Sequence, residues 1–191
     1  AMTMSSGNGT PHHQWVLERL KDAPVTRVIQ CVYDRPGLFS EMVGVFTLNN
    51  IKILSANIFT LKNGLAFDIY EVTNPVDPYR EAERWNRALK DVHSVLEDRL
   101  ALGDLIREKE EARYGEPYHP PVNRSVRIDN EISDFFTVIE VRSGTGVGLT
   151  YAMAKQMFLL GLDIRFAKVN SDEERVMGVF YVRDADGQEV F

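Results

Sequence analysis

The chain has 191 residues, 44% of them hydrophobic, with a formal net charge of −6 and a pI near 5.3. That is apolar material for one or two compact domains, and the acidity argues against nucleic-acid binding by bulk electrostatics. Cys31 is the single cysteine, so no intrachain disulfide forms, and no apolar run approaches the roughly 18 to 20 residues of a membrane helix. This cysteine usage favours a reducing, cytoplasmic setting.

The opening AMTMSSGNGT is small and polar and lacks an apolar stretch, so it reads as a flexible leader rather than a signal peptide. HQWVLERLKD is amphipathic. Residues 1–24 are therefore expected to be a leader with a short amphipathic helix, able to cover sheet surface elsewhere. VTRVIQCVY (25–33) is a β-branched run suited to a strand, with Cys31 expected as a buried thiol. DRPGLF follows. Residues 37–50 then show helical spacing in Leu38, Met42, Val45, Phe46 and Asn49, ended by two asparagines. IKILSANIF and LAFDIYEV are predicted strands around a KNG turn. VDPYREAERWNRALKDVHSVLEDRL is a predicted helix with Asp77 as cap and Trp85, Leu89, Val92 and Leu96 on one face. The charged GDLIREKEEARYGEPYHPP extends it, and RSVRIDNEI (124–132) is expected to supply a fourth strand to this first unit.

An offset of 111 positions lays the chain on itself. Gly37 falls on Gly148, Leu48 on Leu159, Ile53 on Ile164 and Ala56 on Ala167. FFTVIEVRS (135–143), residues 148–161, LDIRFAKVN and VMGVFYV repeat the strand, helix, strand, strand order. Leu149, Met153, Gln156, Met157 and Leu160 mark the helix face, and DEER the hairpin turn. The expected fold class is α+β: two ferredoxin-like units in tandem, antiparallel sheets with helices on one face. The first unit spans 25–132 with its long charged helix and linker. The second, 133–191, is incomplete, lacking a second helix and fourth strand.

DRPGLF at the first turn, NIFTLKNGLAFDIYEV in the hairpin and the order of both hairpins around DNEISDFFTVIEV resemble ACT domains. More narrowly, they resemble the tandem ACT region at the C-terminal end of PII uridylyltransferase/uridylyl-removing enzymes. The resemblance covers about residues 25–190. It implies an amino-acid-sensing regulatory module of a nitrogen-control protein, with glutamine as effector and no cofactor. It also implies a homodimer, and the PII signal protein as partner through catalytic domains not seen in this sequence. The chain by itself is not expected to turn over substrate. The alternative is a dimerisation or interaction module with a vestigial ligand site.

The DRPG turn admits two readings. A helix N-terminus with close-packed glycine seats a carboxylate, and Asp34 meets an ammonium group, which together describe a receptor for an amino acid. Plain turn and cap chemistry explains the same residues. The candidate ligand residues are Asp34, Arg35, Pro36, Gly37, Leu38 and Phe39. The resemblance adds Asn57 and Ile58 on a facing strand, with Asn57 toward the amide of glutamine. SGTGVGLT lacks the ending of a phosphate loop and is read as a degenerate copy of DRPG, formed by Thr145, Gly146, Val147, Gly148 and Leu149. With Thr145 in place of Asp34, weaker or no binding is expected there. His12, His13, His93 and His119 are scattered without metal-ligand spacing, so no metal site is expected. Glu108, Glu110 and Glu111 read as the exposed face of a charged helix.

Overall fold

The computed structural model describes residues 2–5, 13–74, 77–114, 124–144, 148–171 and 175–190. In chain order these form β1 (Met2–Ser5), β2 (Gln14–Arg19), β3 (Val25–Tyr33), α1 (Leu38–Leu48), β4 (Ile53–Thr60) and β5 (Leu65–Thr73). A short 3-10 turn (Pro78–Arg80) leads into α2 (Glu81–Leu96) and α3 (Leu102–Tyr114). Then come β6 (Ser125–Asp129), β7 (Thr137–Gly144), α4 (Leu149–Leu159), β8 (Asp163–Ser171) and β9 (Arg175–Arg183). The strands make one antiparallel sheet of order β1-β2-β3-β5-β4-β8-β9-β7-β6. The architecture is α+β, with two ferredoxin-like units side by side. They meet where Ser55, Ala56 and Asn57 pair with Lys168, Ala167 and Phe166. Ala56 and Ala167 are the equivalent positions of the repeat, and both are fully buried.

The core lies between the sheet and the helices. Val28, Val32, Ala66, Tyr70 and Val72 project from alternate strand positions onto Met42, Val45 and Phe46 of α1. All five expected helix-face positions of α1 are buried. In α2 the buried stripe is Trp85, Ala88, Val92 and Val95, with Leu89 and Leu96 packed at its edge. Asp77 caps the 3-10 turn by accepting from the Tyr79 N–H at 3.0 Å, and α2 itself has no side-chain cap. The long charged segment is two helices, broken at Asp98, whose φ is +55°. On α3, Glu108 and Glu111 are exposed and Glu110 half-buried.

Several expectations change. The stretch expected to be an amphipathic helix is β2, whose alternating pattern buries Trp15 and Leu17. It folds back on β3 through a tight turn in which Leu20 N–H donates to Val25. It therefore completes the first unit and does not cover the second. Residues 2–5, taken as leader, pair with it as β1. β6 pairs with β7, not with the first unit. Asp129 Oδ1 accepts from the Glu131 and Ile132 N–H groups, reversing the chain so that β6 falls beside the strand that follows it. Cys31 is half-buried rather than buried, because it alternates with Gln30 and Val32 and faces away from the helices. On α4, Met153 and Met157 are buried, while Leu160 is 66% exposed. Its outer side, with β6, β7 and α3, walls an open apolar groove of about 1000 Å³. The expected turn at 172–175 lies mainly outside the described residues.

Trp15 is fully buried, stacked on Phe46 and edge-on to Trp85. Trp15→Ala is expected to cost about 3–5 kcal/mol in urea unfolding. Cys31→Ala on the opposite face should move the midpoint little.

Candidate functional site

The β3–α1 connection begins at Asp34, whose N–H donates to Gly64 of the β4–β5 turn. Gly37 follows with φ +82°, a left-handed conformation available to glycine without strain. A Cβ there would also stand 3.2 Å from the Phe158 ring of α4. No side chain caps α1 at this end. The helix N-terminus therefore opens onto a cleft of about 640 Å³ between the two units. Unit one contributes residues 34–40, Ile58, Thr60 and Asp68. Unit two contributes Phe158, the β8 entry at 161–165 and the turn at 184–187.

The cleft is acidic. Asp34, Asp68, Asp163, Asp184 and Asp186 stand in its wall against two cations, Arg35 and Arg165. Both cations are engaged. Arg165 pairs with Asp163 and donates to Thr60 Oγ1 at 3.1 Å. Arg35 grips Glu41 with Nε at 3.0 Å and Nη2 at 2.8 Å. It also donates to the Val95 and Leu96 carbonyls at the end of α2 and pairs with Asp98. Arg35 is thus the C-terminal clasp of α2, where carbonyls lack intrahelical partners. Asp34 is exposed, and its Oδ2 accepts from Thr60 Oγ1 at 2.8 Å.

Asp34, Pro36, Gly37, Leu38, Phe39 and Ile58 of the expected set all line the cleft, as does the backbone-facing Arg35. Asn57 does not. A bulge between Ile53 and Ser55 shifts the alternation, so Ala56 and Ile58 face the helices while Ser55 and Asn57 face the opposite side. β4 reaches the cleft through Ile58 and Thr60, and β8 lines it from the second unit at 163–165. Thr60, Asp68, Phe158 and Arg165 were missed by sequence. For Asp68 a signal existed: in β5 it shares its face with Ala66, Tyr70 and Val72, an acid in an apolar row.

Asp68 is 1% exposed. Its Oδ2 accepts from Tyr70 Oη at 3.1 Å and Gln30 Nε2 at 3.4 Å, while Oδ1 has no hydrogen-bond partner among the described residues. Burial pushes its carboxyl up to about 6. The Tyr70 hydroxyl, the Phe59 backbone and Gln30 pull the other way, and the charge of Asp34 adds to the rise. Behind it, Gln30 Oε1 accepts from Trp15 Nε1 at 2.9 Å and contacts His13 Nε2 at 3.4 Å. His13 Nδ1 lies 3.3 Å from His93 Nε2, so two histidines distant in sequence meet. Burial lowers His13 to about 4, partly offset by Gln30 and reinforced by His93.

The described part of the equivalent turn in the second unit, Gly148 and Leu149, borders the apolar groove instead of the acidic cleft. Gly148 (φ +75°) repeats the geometry of Gly37, but a Cβ there would lie 2.5 Å from Ile106 of α3. Lys109 of α3 donates to the Thr47 and Leu48 carbonyls at 2.8 and 2.7 Å, occupying the end of α1 that corresponds to the Phe158 end of α4. Leu149 is half-buried beside Gly148; Thr145, Gly146 and Val147 lie outside the described residues. Among the described residues no cluster of three or more His, Cys, Asp or Glu side chains is arranged to hold a metal. Among the described residues no helix is long and apolar enough to cross a membrane.

Comparison with known proteins gives one consistent result. The chain is 33% identical over 167 residues to a bifunctional uridylyltransferase/uridylyl-removing enzyme of Rhodospirillum rubrum. It is 32% identical over 170 residues to that of Azospirillum brasilense and 27% over 168 residues to that of Ruegeria pomeroyi. Each match takes 87% of this chain and 18% of the relative, so the chain spans under a fifth of the length of these proteins. No family model and no solved structure matches.

Two outcomes are expected. Arg35→Met should lose about 1–3 kcal/mol in urea unfolding, because Glu41 and the α2 carbonyls lose their donor, whereas Asp34→Asn at the exposed rim should change stability by under about 0.5 kcal/mol. For His13 the folded state takes up its proton later than the unfolded chain. Its contribution is complete above about pH 6.5 and lost as pH falls toward 4, on the order of 3 kcal/mol. Unfolding of wild type and His13→Gln, compared at pH 7 and pH 4, should show wild type losing more.

Proposed function

We propose that this chain, a relative of one part of the bifunctional uridylyltransferase/uridylyl-removing enzymes, is a regulatory module of that family that senses an amino acid. We take glutamine as the effector and the two units as ACT domains. The observation that carries the reading is the cleft between the units. It combines an uncapped helix N-terminus over Gly37, suited to a carboxylate, with two acids suited to an ammonium: Asp34, which accepts only from the neutral Thr60 hydroxyl among its described contacts, and Asp68, whose Oδ1 has no hydrogen-bond partner among the described residues. Each unit supplies one wall, so a bound ligand would favour the arrangement in which the units meet as they do here. Regulation then follows if catalytic domains elsewhere in a longer protein prefer one arrangement, which requires different affinity for two states. Uridylyl transfer and removal, and control of a PII signal protein, belong in this reading to that longer protein. The second loop, where Thr145 replaces Asp34 and Ile106 stands close to Gly148, would bind weakly or not at all, giving one ligand per chain. The setting is the cytoplasm.

A second reading, a dimerisation or interaction module, is favoured by the apolar groove and by β6, an edge strand exposing Val126 and Ile128. A homodimer through a sheet edge is compatible with both readings.

Titration calorimetry with L-glutamine and a panel of other amino acids tests the first. Saturable glutamine binding near one per chain, weakened at least tenfold in Asp34→Ala, is expected. No heat with any amino acid would leave the interaction reading, and two equally tight sites would overturn the assignment of the second loop as a weaker or absent site.

A further inference from the structure

Asp68 is the one acid of the cleft wall that is fully buried, and it stands at the floor between β3, β4 and the DRPG turn. Its neighbours account for only half of it. Tyr70 and Gln30 both donate to Oδ2, leaving Oδ1 without a partner among the described residues. A buried acceptor left without a donor is costly, and a donor arriving with a ligand would return that cost. The charges around it set the sign of that donor. Asp34, Asp163, Asp184 and Asp186 face the same cleft. Arg165 is held by Asp163 and Thr60, and Arg35 turns away to Glu41, Asp98 and α2. Asp184 Oδ1 is occupied by the Asp186 and Gln188 N–H groups of its own turn. Tyr70, Gln30 and the Phe59 backbone also face Asp68, with His13 and His93 behind Gln30. None of these cations reaches Asp68.

We propose that Asp68 is a specificity residue that receives the ammonium group of the ligand, with Asp34 at the rim. The cleft then selects zwitterions and amines over acids of the same skeleton lacking the amine. This rests on the cleft being the ligand site argued above. A charged ammonium prefers the ionised carboxylate. Binding therefore expels a proton from Asp68 wherever the free side chain still holds one, and affinity weakens as pH falls through about 6.

The test is calorimetry of this chain with L-glutamine and with 4-carbamoylbutanoate, its analogue without the amine, between pH 5 and pH 8. Titrations at pH 6 in buffers of different ionisation heat count the protons released. Glutamine is expected to bind wild type and release a substantial fraction of a proton at pH 6, and the analogue to bind at least tenfold more weakly. Asp68→Asn, checked by its urea midpoint, should bind glutamine at least tenfold more weakly at pH 8 and release no proton. His13 titrates near 4 and is silent at pH 6. The proton count on wild type needs no variant, so it decides even where Asp68→Asn fails to fold. Equal binding of the analogue, absence of proton release, or a folded Asp68→Asn with wild-type affinity and pH profile each overturns the role of Asp68 while leaving the cleft as a ligand site. Failure of wild type to bind any amino acid overturns both.

Discussion

The structure depends on a three-residue ladder. Where Ala56 meets Ala167, two separate sheets become one, and α1 comes against α4 above the join. Alanine at both positions leaves room for that approach. One continuous core runs through both units, so the seam is packed by α1 and α4 as well as by this short ladder. The acidic cleft lies on that seam, lined by the loop of one unit and the β8 entry of the other. Recognition and conformational coupling would then share one location, since a molecule bound there touches both bodies.

The composition of the DRPG turn resolves into separate tasks. Gly37 is fixed twice, by a left-handed backbone and by the Phe158 ring against its Cα. Arg35 belongs to the scaffold: its guanidinium ties the turn to Glu41 and to the open end of α2. Asp34 alone of the charged residues there turns toward solvent and the cleft. The scaffold residues of this segment thus hold the α1 helix end at the edge of the cleft.

Most elements were legible because periodicity and punctuation are local. The α1 stripe, both hairpins and the internal repeat follow from residues near in sequence. The misreadings were of three physical kinds. HQWVLERLKD satisfies both a helical and an alternating pattern, and only the partner β3 selects the second. RSVRID has strand character, but which sheet edge accepts it is decided by the Asp129 reversal. Asn57 was misplaced by a bulge, and the same irregularity recurs in β8 between Ile164 and Phe166. Two inward polar residues, Gln30 and Asp68, were visible as breaks in apolar rows, yet their meaning needed the partners Trp15, Tyr70 and His13. Phe158 and Arg165 carried no signal, since only the docking of one repeat on the other brings them to the turn.

The two repeats diverge where function would require it. Both keep the left-handed glycine and the bulge, which are conditions of the fold. At the first loop that glycine borders an acidic cleft; at the second it borders Ile106, and Lys109 satisfies the helix end across from it. In place of a polar ligand, α3 supplies an apolar side chain and an ammonium from within the chain. The repeat thus leaves two equivalent helix starts with different surroundings, an acidic cleft shared by both units at the first and an apolar groove bordered by α3 at the second.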